Sequence, residues 1–128
     1  MSKLESILQQ FERAVERLSE VLKEPASAII RDSAIQRFEF CLDLAWKSIK
    51  AFLEDKKGLT CNSPKDCFRE AYSQKLIEYD QAWIGYVDMR NETVHTYKEE
   101  IAQKIYTELP KVLENMEKLR NSLVISSK

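Results

Sequence analysis

Glycine, proline, cysteine and histidine are all scarce in this chain, with 2 Gly, 3 Pro, 3 Cys and 1 His among 128 residues. Two glycines cannot build a glycine-rich phosphate loop, a collagen repeat or the many turns of a β-sandwich, and the low proline content removes the usual disordered classes. Cys41, Cys61 and Cys67 form an odd set with no CxxC pair. With a single histidine beside them, neither a disulfide framework nor a zinc or other metal site is expected. No apolar run approaches the roughly 20 residues that span a bilayer, and Met1-Ser-Lys-Leu-Glu opens an amphipathic pattern rather than a secretory core. A cytoplasmic protein without a membrane partner is expected. Charge of one sign is missing too: 20 basic against 21 acidic residues leave a net charge of -1, and the pI is near 5.9. That balance excludes a protein that coats nucleic acid by bulk electrostatics, so any RNA contact has to be local. Any imidazole acid/base chemistry has to run through His95.

What is abundant is helix-forming sequence. Hydrophobic residues make up 44% and charged residues 32%, and the length suits one domain that buries about two-thirds of its unfolded surface. Leu4, Ile7, Leu8, Phe11, Ala14, Val15, Leu18, Val21 and Leu22 recur at steps of three and four, which predicts an amphipathic helix over about 3 to 23. Pro25 interrupts it, and Ser27 offers an N-cap to a second helix over about 28 to 56. The wide apolar face of that second helix marks it as the most buried.

Lys56-Lys57-Gly58 reads as its end, and Ser63-Pro64-Lys65-Asp66 as the start of a shorter helix carrying Cys67, Ala71, Tyr72, Leu76 and Ile77. Asp80 is the expected cap of a fourth helix containing Trp83, Ile84, Val87 and Val94. A last helix is expected over about 98 to 123, kinked at Pro110. The expected fold is all-α, an up-and-down bundle of four long helices plus a short helix. Residues 1-124 would form one domain and 125-128 a frayed tail.

Chemistry concentrates in Asp88-Met89-Arg90-Asn91-Glu92-Thr93-Val94-His95-Thr96-Tyr97. Arginine can neutralise a phosphate with its planar fork, histidine can move a proton near neutrality, and an amide and a phenol can position them. On a regular helix Asn91 and His95 share a side, whereas Arg90 lies about 140° around from His95 and within about 20° of Tyr97. Convergence therefore needs Arg90 to reach round, the helix to distort after Glu92, or a second subunit to complete the site. Taken alone, the residues better fit a surface ion pair of Arg90 with Glu92 or Glu99 and an ordinary helix-end histidine, since catalytic roles are the minority outcome for isolated polar residues.

Arg90-Asn91-Glu92-Thr93-Val94-His95-Thr96-Tyr97 resembles the R-x4-H-x-Y signature of HEPN domains. The resemblance is closest to the branch paired with minimal nucleotidyltransferases, the HepT-like nucleotidyltransferase substrate-binding proteins. Ile35-Gln-Arg-Phe-Glu-Phe-Cys-Leu-Asp-Leu-Ala-Trp-Lys47 looks like that branch's second-helix motif. Lys98 departs from it, since Asp or Asn often follows the Tyr, and this leaves the last helix without an obvious side-chain cap. The resemblance implies a homodimer whose two motifs face a shared cleft and act as a metal-independent, cofactor-free endoribonuclease. In it His95 would transfer protons, Arg90 would stabilise charge on the phosphorane and Asn91 would bind the phosphate. Tyr97 would be the hydroxyl to which a cognate nucleotidyltransferase transfers AMP, silencing a toxin. The alternative is a non-catalytic substrate-binding subunit of that nucleotidyltransferase.

Other residues have plainer expectations. Phe38, Trp46 and Trp83, at helical spacing among aliphatics, are expected in the core, and Tyr72, Tyr79 and Tyr86 could line a cleft but are expected rather to pack. Asp43 and Lys47 would form an exposed i,i+4 pair. Cys41 is expected in the core, with Cys61 and Cys67 as partly exposed thiols.

Overall fold

Most helix starts are written locally in the chain. Ser2, Ser27 and Ser63 each stand in extended conformation and accept the backbone N–H three residues on, at 3.1 Å in every case. These caps open α1 (Lys3–Leu22), α2 (Ala28–Phe52) and α3 (Pro64–Ser73). At α3 a second bond supports the cap, because Asp66 reaches back past Ser63 to accept the Asn62 N–H at 2.9 Å. The computed structural model describes residues 2–128. It continues with α4 (Asp80–Glu92) and α5 (Glu99–Ser126), and there is no strand among the described residues. The fold is the expected all-α bundle, with α4 the shortest of the four longer helices.

α1, α2 and α5 pack on one another, while α3 and α4 pack together and against α2. The stripe predicted for α1 is its buried face: Leu4, Leu8, Phe11, Val15, Leu18 and Val21. α2 is buried most widely, through Ile35, Phe38, Cys41, Leu42, Ala45 and Ile49. Phe11, Phe38, Phe52 and Phe68 are fully buried, each contributing on the order of 2 kcal/mol relative to exposure.

Several boundaries differ from the sequence expectations, each for a local reason. α2 closes in a wider turn over Leu53–Lys57 and ends at Gly58, whose φ of 64° is left-handed. α3 stops at Ser73, so Leu76 and Ile77 lie outside it. Lys75 stands at φ 62°, and the N–H groups of Lys75 and Leu76 close back on the carbonyls of Tyr72 and Ala71. This is the Schellman ending, here with lysine where glycine is usual. The cap of α4 is Tyr79 rather than Asp80, without a side-chain hydrogen bond. α5 runs through Pro110 and on through Ile125 to Ser126, so the end expected at 123 falls three residues early.

The cysteines correct a sequence expectation. Cys61 and Cys67 are fully buried and joined in a disulfide with Cα atoms 5.0 Å apart. The short loop and the Ser63 cap fold the chain back on itself, which the odd cysteine count hid. Cys41 is in the core as expected, and burial pushes its thiol up to about 12. No helix is long and apolar enough to cross a membrane among the described residues.

Candidate functional site

The last turn of α4 carries Arg90, and its guanidinium is enclosed by four polar contacts. Nε and Nη2 donate to the two carboxylate oxygens of Asp43, each at 3.4 Å, in a side-on fork. Nη1 donates to Thr93 Oγ1 at 3.2 Å and lies 3.6 Å from Glu39 Oε2. Thr93 is itself fixed, since its hydroxyl donates to the Arg90 carbonyl at 2.7 Å. Asp43 and Glu39 stand one turn apart on α2, so the central helix holds the arginine from below.

These partners differ from the expected ones. Arg90 pairs with neither Glu92 nor Glu99, and Asp43 serves Arg90 rather than Lys47. Glu99 instead receives Arg31 at 2.8 and 3.2 Å. Those bonds, and then the arginine's charge, hold the Glu99 carboxyl below its usual value. The bridge ties the start of α5 to the start of α2 beside the candidate site. Glu39, Asp43 and Thr93 were missed as site residues. Two carboxylates one turn apart on one helix repel each other unless a cation sits between them, and that was the available signal.

One of the three expected departures is present, a helix change after Glu92, but among the described residues no hydrogen bond or ion pair joins Arg90 to His95, since the guanidinium is taken up by Asp43, Thr93 and Glu39. α4 gives way to a tight 3-10 turn over Thr93–His95, closed by the Thr96 hydroxyl donating to the Thr93 carbonyl at 2.9 Å. Lys98 then becomes the N-cap of α5 without a side-chain bond, as its departure from the branch pattern suggested. Val94, expected on the apolar face of α4, is 67% exposed in this turn. Past Glu92 the regular helical angles no longer hold, so the expected overlap of Tyr97 with Arg90 lapses. The Tyr97 ring meets His95 instead, edge to face with centroids 6.1 Å apart, and Tyr97 is 75% exposed. Asn91 and His95 are exposed as well.

Tryptophan and tyrosine placements complete the surroundings. Trp83 is in the core as expected, stacked on Phe68 at 4.9 Å, and Trp46 is partly buried against the core. Tyr86 is buried and accepts a 2.6 Å hydrogen bond from Asn115, with burial pushing its phenol up. Expected to pack, Tyr72, near the end of α3, and Tyr79, which precedes α4, are instead exposed, both lining one surface cavity. Gly85, Met89, Ile101 and Ile105, together with the charged Asp88, Glu92, Lys104 and Glu108, line a cavity of about 320 Å³ between α4 and α5. Among the described residues no cluster of His, Cys, Asp or Glu is placed to hold a metal ion.

An all-helical bundle with an arginine held between two carboxylates at the end of one helix, and a histidine and tyrosine exposed on the following turn, makes a polar surface site. The chain belongs to the family described as nucleotidyltransferase substrate binding protein like, which it matches over residues 1–125. It is 36% identical over 90 residues to the Haemophilus influenzae protein named "Probable ribonuclease HepT", a match that takes in 64% of this chain and only 62% of that relative's length. Among solved structures, a Thermus thermophilus protein superposes with a TM-score of 0.84 at 39% identity, covering 88% of this chain and 98% of its own. A Haemophilus influenzae protein, whose structure is described as the fold of a substrate binding domain of a nucleotidyltransferase, superposes with a TM-score of 0.68 at 29% identity. That superposition covers 94% of this chain and 96% of the other.

Proposed function

We propose that this chain is the ribonuclease of a nucleotidyltransferase-paired toxin–antitoxin system, a cytoplasmic HEPN protein that cleaves RNA without a metal and is silenced by AMP on Tyr97. The observation that carries the reading is the held Arg90 at the end of α4, followed at once by a turn that exposes His95 and Tyr97 side by side. In this reaction the 2'-hydroxyl oxygen of RNA bonds to the adjacent phosphorus while the bond from phosphorus to the 5'-oxygen breaks. His95 moves the protons, taking one from the 2'-hydroxyl or giving one to the leaving oxygen. Arg90 offsets the charge that builds on the phosphorane, and Asn91 binds the phosphate. The products are a 2',3'-cyclic phosphate and a free 5'-hydroxyl.

A homodimer fits the same surface. One protomer presents one histidine, so separate general acid and base roles call for two. The half-buried Met89 and Ile101 with exposed Val94 give an apolar margin beside the site. The interface should bury over about 1,200 Å², and sedimentation should show dimers at micromolar concentration. Purified protein should cleave RNA in EDTA, while His95→Ala and Arg90→Ala each lower cleavage a hundredfold or more, roughly 3 kcal/mol in the barrier. Cleavage that persists in His95→Ala removes the mechanism. Tyr97→Phe should retain cleavage and lose the mass gain of AMP when the cognate nucleotidyltransferase is added with ATP and magnesium.

One observation favours a second reading, a non-catalytic subunit that presents substrate to the nucleotidyltransferase. Asp43 and Glu39 together outweigh the single charge of Arg90, which weakens its hold on the charge of a transition state and suits a subunit that positions rather than cleaves. Growth arrest on expressing the chain alone supports the ribonuclease, and its absence supports the binding subunit.

A further inference from the structure

Three of the seven arginines in this chain line one groove between α1 and α2. Arg13 and Arg17 border it from α1, Arg37 from α2, and Ala14, Phe40 and Leu44 form an apolar floor around a cavity of about 200 Å³. Among the described residues none of the three guanidiniums takes part in an ion pair. No carboxylate lines the groove. Arg37 is pinned across it, donating from Nη1 to the Arg17 carbonyl at 2.7 Å, and its remaining N–H groups are left for a ligand. Phe40 is 52% exposed.

A protein with a net charge of -1 that gathers like charges in one place without balancing them is mildly strained there until an anion arrives. The geometry narrows the anion. Arg13 and Arg17 are one turn apart, about 6 Å along the helix axis, close to the separation of neighbouring phosphates on one strand. A guanidinium fork matches a phosphate bidentately, and an exposed phenylalanine offers a face on which any base can stack. We propose that the α1–α2 groove binds single-stranded RNA through Arg13, Arg17, Arg37 and Phe40, as a second contact separate from the Arg90 site. On α2, Arg37 lies about 160° around the axis from Glu39 and Phe40 about 60° from Asp43, so the groove occupies a neighbouring face of the helix with Phe40 at its near edge. Its three arginines therefore add affinity without touching the reacting atoms.

This inference rests on the reading that RNA is the substrate, and the test separates the two. The probe is a fluorescein-labelled 2'-O-methyl oligouridylate of about 12 nucleotides, which lacks the attacking hydroxyl and so reports binding whether or not the chain cleaves. Fluorescence anisotropy at about 50 and about 200 mM NaCl should show salt-dependent binding, with a logarithmic slope near -2 for three neutralised phosphates. Arg13→Glu/Arg17→Glu, on the exposed side of α1, should weaken binding at least tenfold and flatten the slope, with circular dichroism confirming intact helix. Phe40→Ala should weaken it at least about fivefold with the slope kept. No binding by wild type, or equal binding by the double variant, overturns the proposal. So does an oligoglutamate of equal charge that binds wild type as tightly as the RNA and is lost in the double variant, since that assigns the groove to an acidic polypeptide. Binding that follows the groove while RNA cleavage is absent removes the catalytic reading alone.

Discussion

Replacing Asp43 with Asn tests whether α2 positions the arginine or merely neighbours it. The substitution keeps the shape but removes the charge and one of the two acceptors that grip Arg90 at 3.4 Å. Arg90 is 31% exposed and Asp43 39%, so the pair ranks with surface ion pairs, worth at most about 1 kcal/mol. For a chain of this length that is a fall in Tm of about 3 to 5 °C. The functional cost should be larger in proportion. Arginine carries roughly 2 kcal/mol of side-chain rotamer entropy, and Thr93 and Glu39 still restrain one end of the guanidinium. Recovering about half that freedom costs the reaction close to 1 kcal/mol, a five- to tenfold fall in kcat/KM. Thermal melts and single-turnover cleavage of a labelled RNA measure the two quantities on one preparation. Unchanged or faster cleavage by Asp43→Asn would refute the positioning role, because a carboxylate that only competes with phosphate for Arg90 should release activity when neutralised.

Three further outcomes follow from the fold. Lys75→Gly should stabilise the protein by up to about 1 kcal/mol in urea unfolding, since a left-handed φ costs an L-residue about 1 to 2 kcal/mol, partly offset by the freer unfolded chain. Iodoacetamide should label no cysteine in the native protein, one after denaturation and three after denaturation with reductant, read by intact mass; Cys41 is silent while folded because burial raises its thiol to about 12. The Glu99 carboxyl is depressed by Arg31, so its contribution is present at neutral pH and is lost as pH falls through its folded value. The stability gap between wild type and Glu99→Gln should accordingly narrow below about pH 4, measured by urea unfolding across pH.

Local signals determined the helices and the candidate residues. Serine caps at Ser2, Ser27 and Ser63, the three-and-four spacing of Leu4 to Val21, and the Lys-Lys-Gly stop act within a few residues, so they could be read along the chain. The five-residue spacing of Arg90 and His95 likewise identified the segment that carries the chemistry, and its angular mismatch showed that something had to give. Tertiary structure decided what gave. The helix changes at Thr93, where Arg90, Thr93 and Asp43 close one network, and Asp43 is 47 residues away in sequence. The same long-range folding decides that Cys61 meets Cys67 in a buried bridge, and that arginines 20 residues apart share one groove. Periodicity reports which face of a helix is apolar, but which helix covers that face, and which charge is left facing which, depends on how the five helices pack.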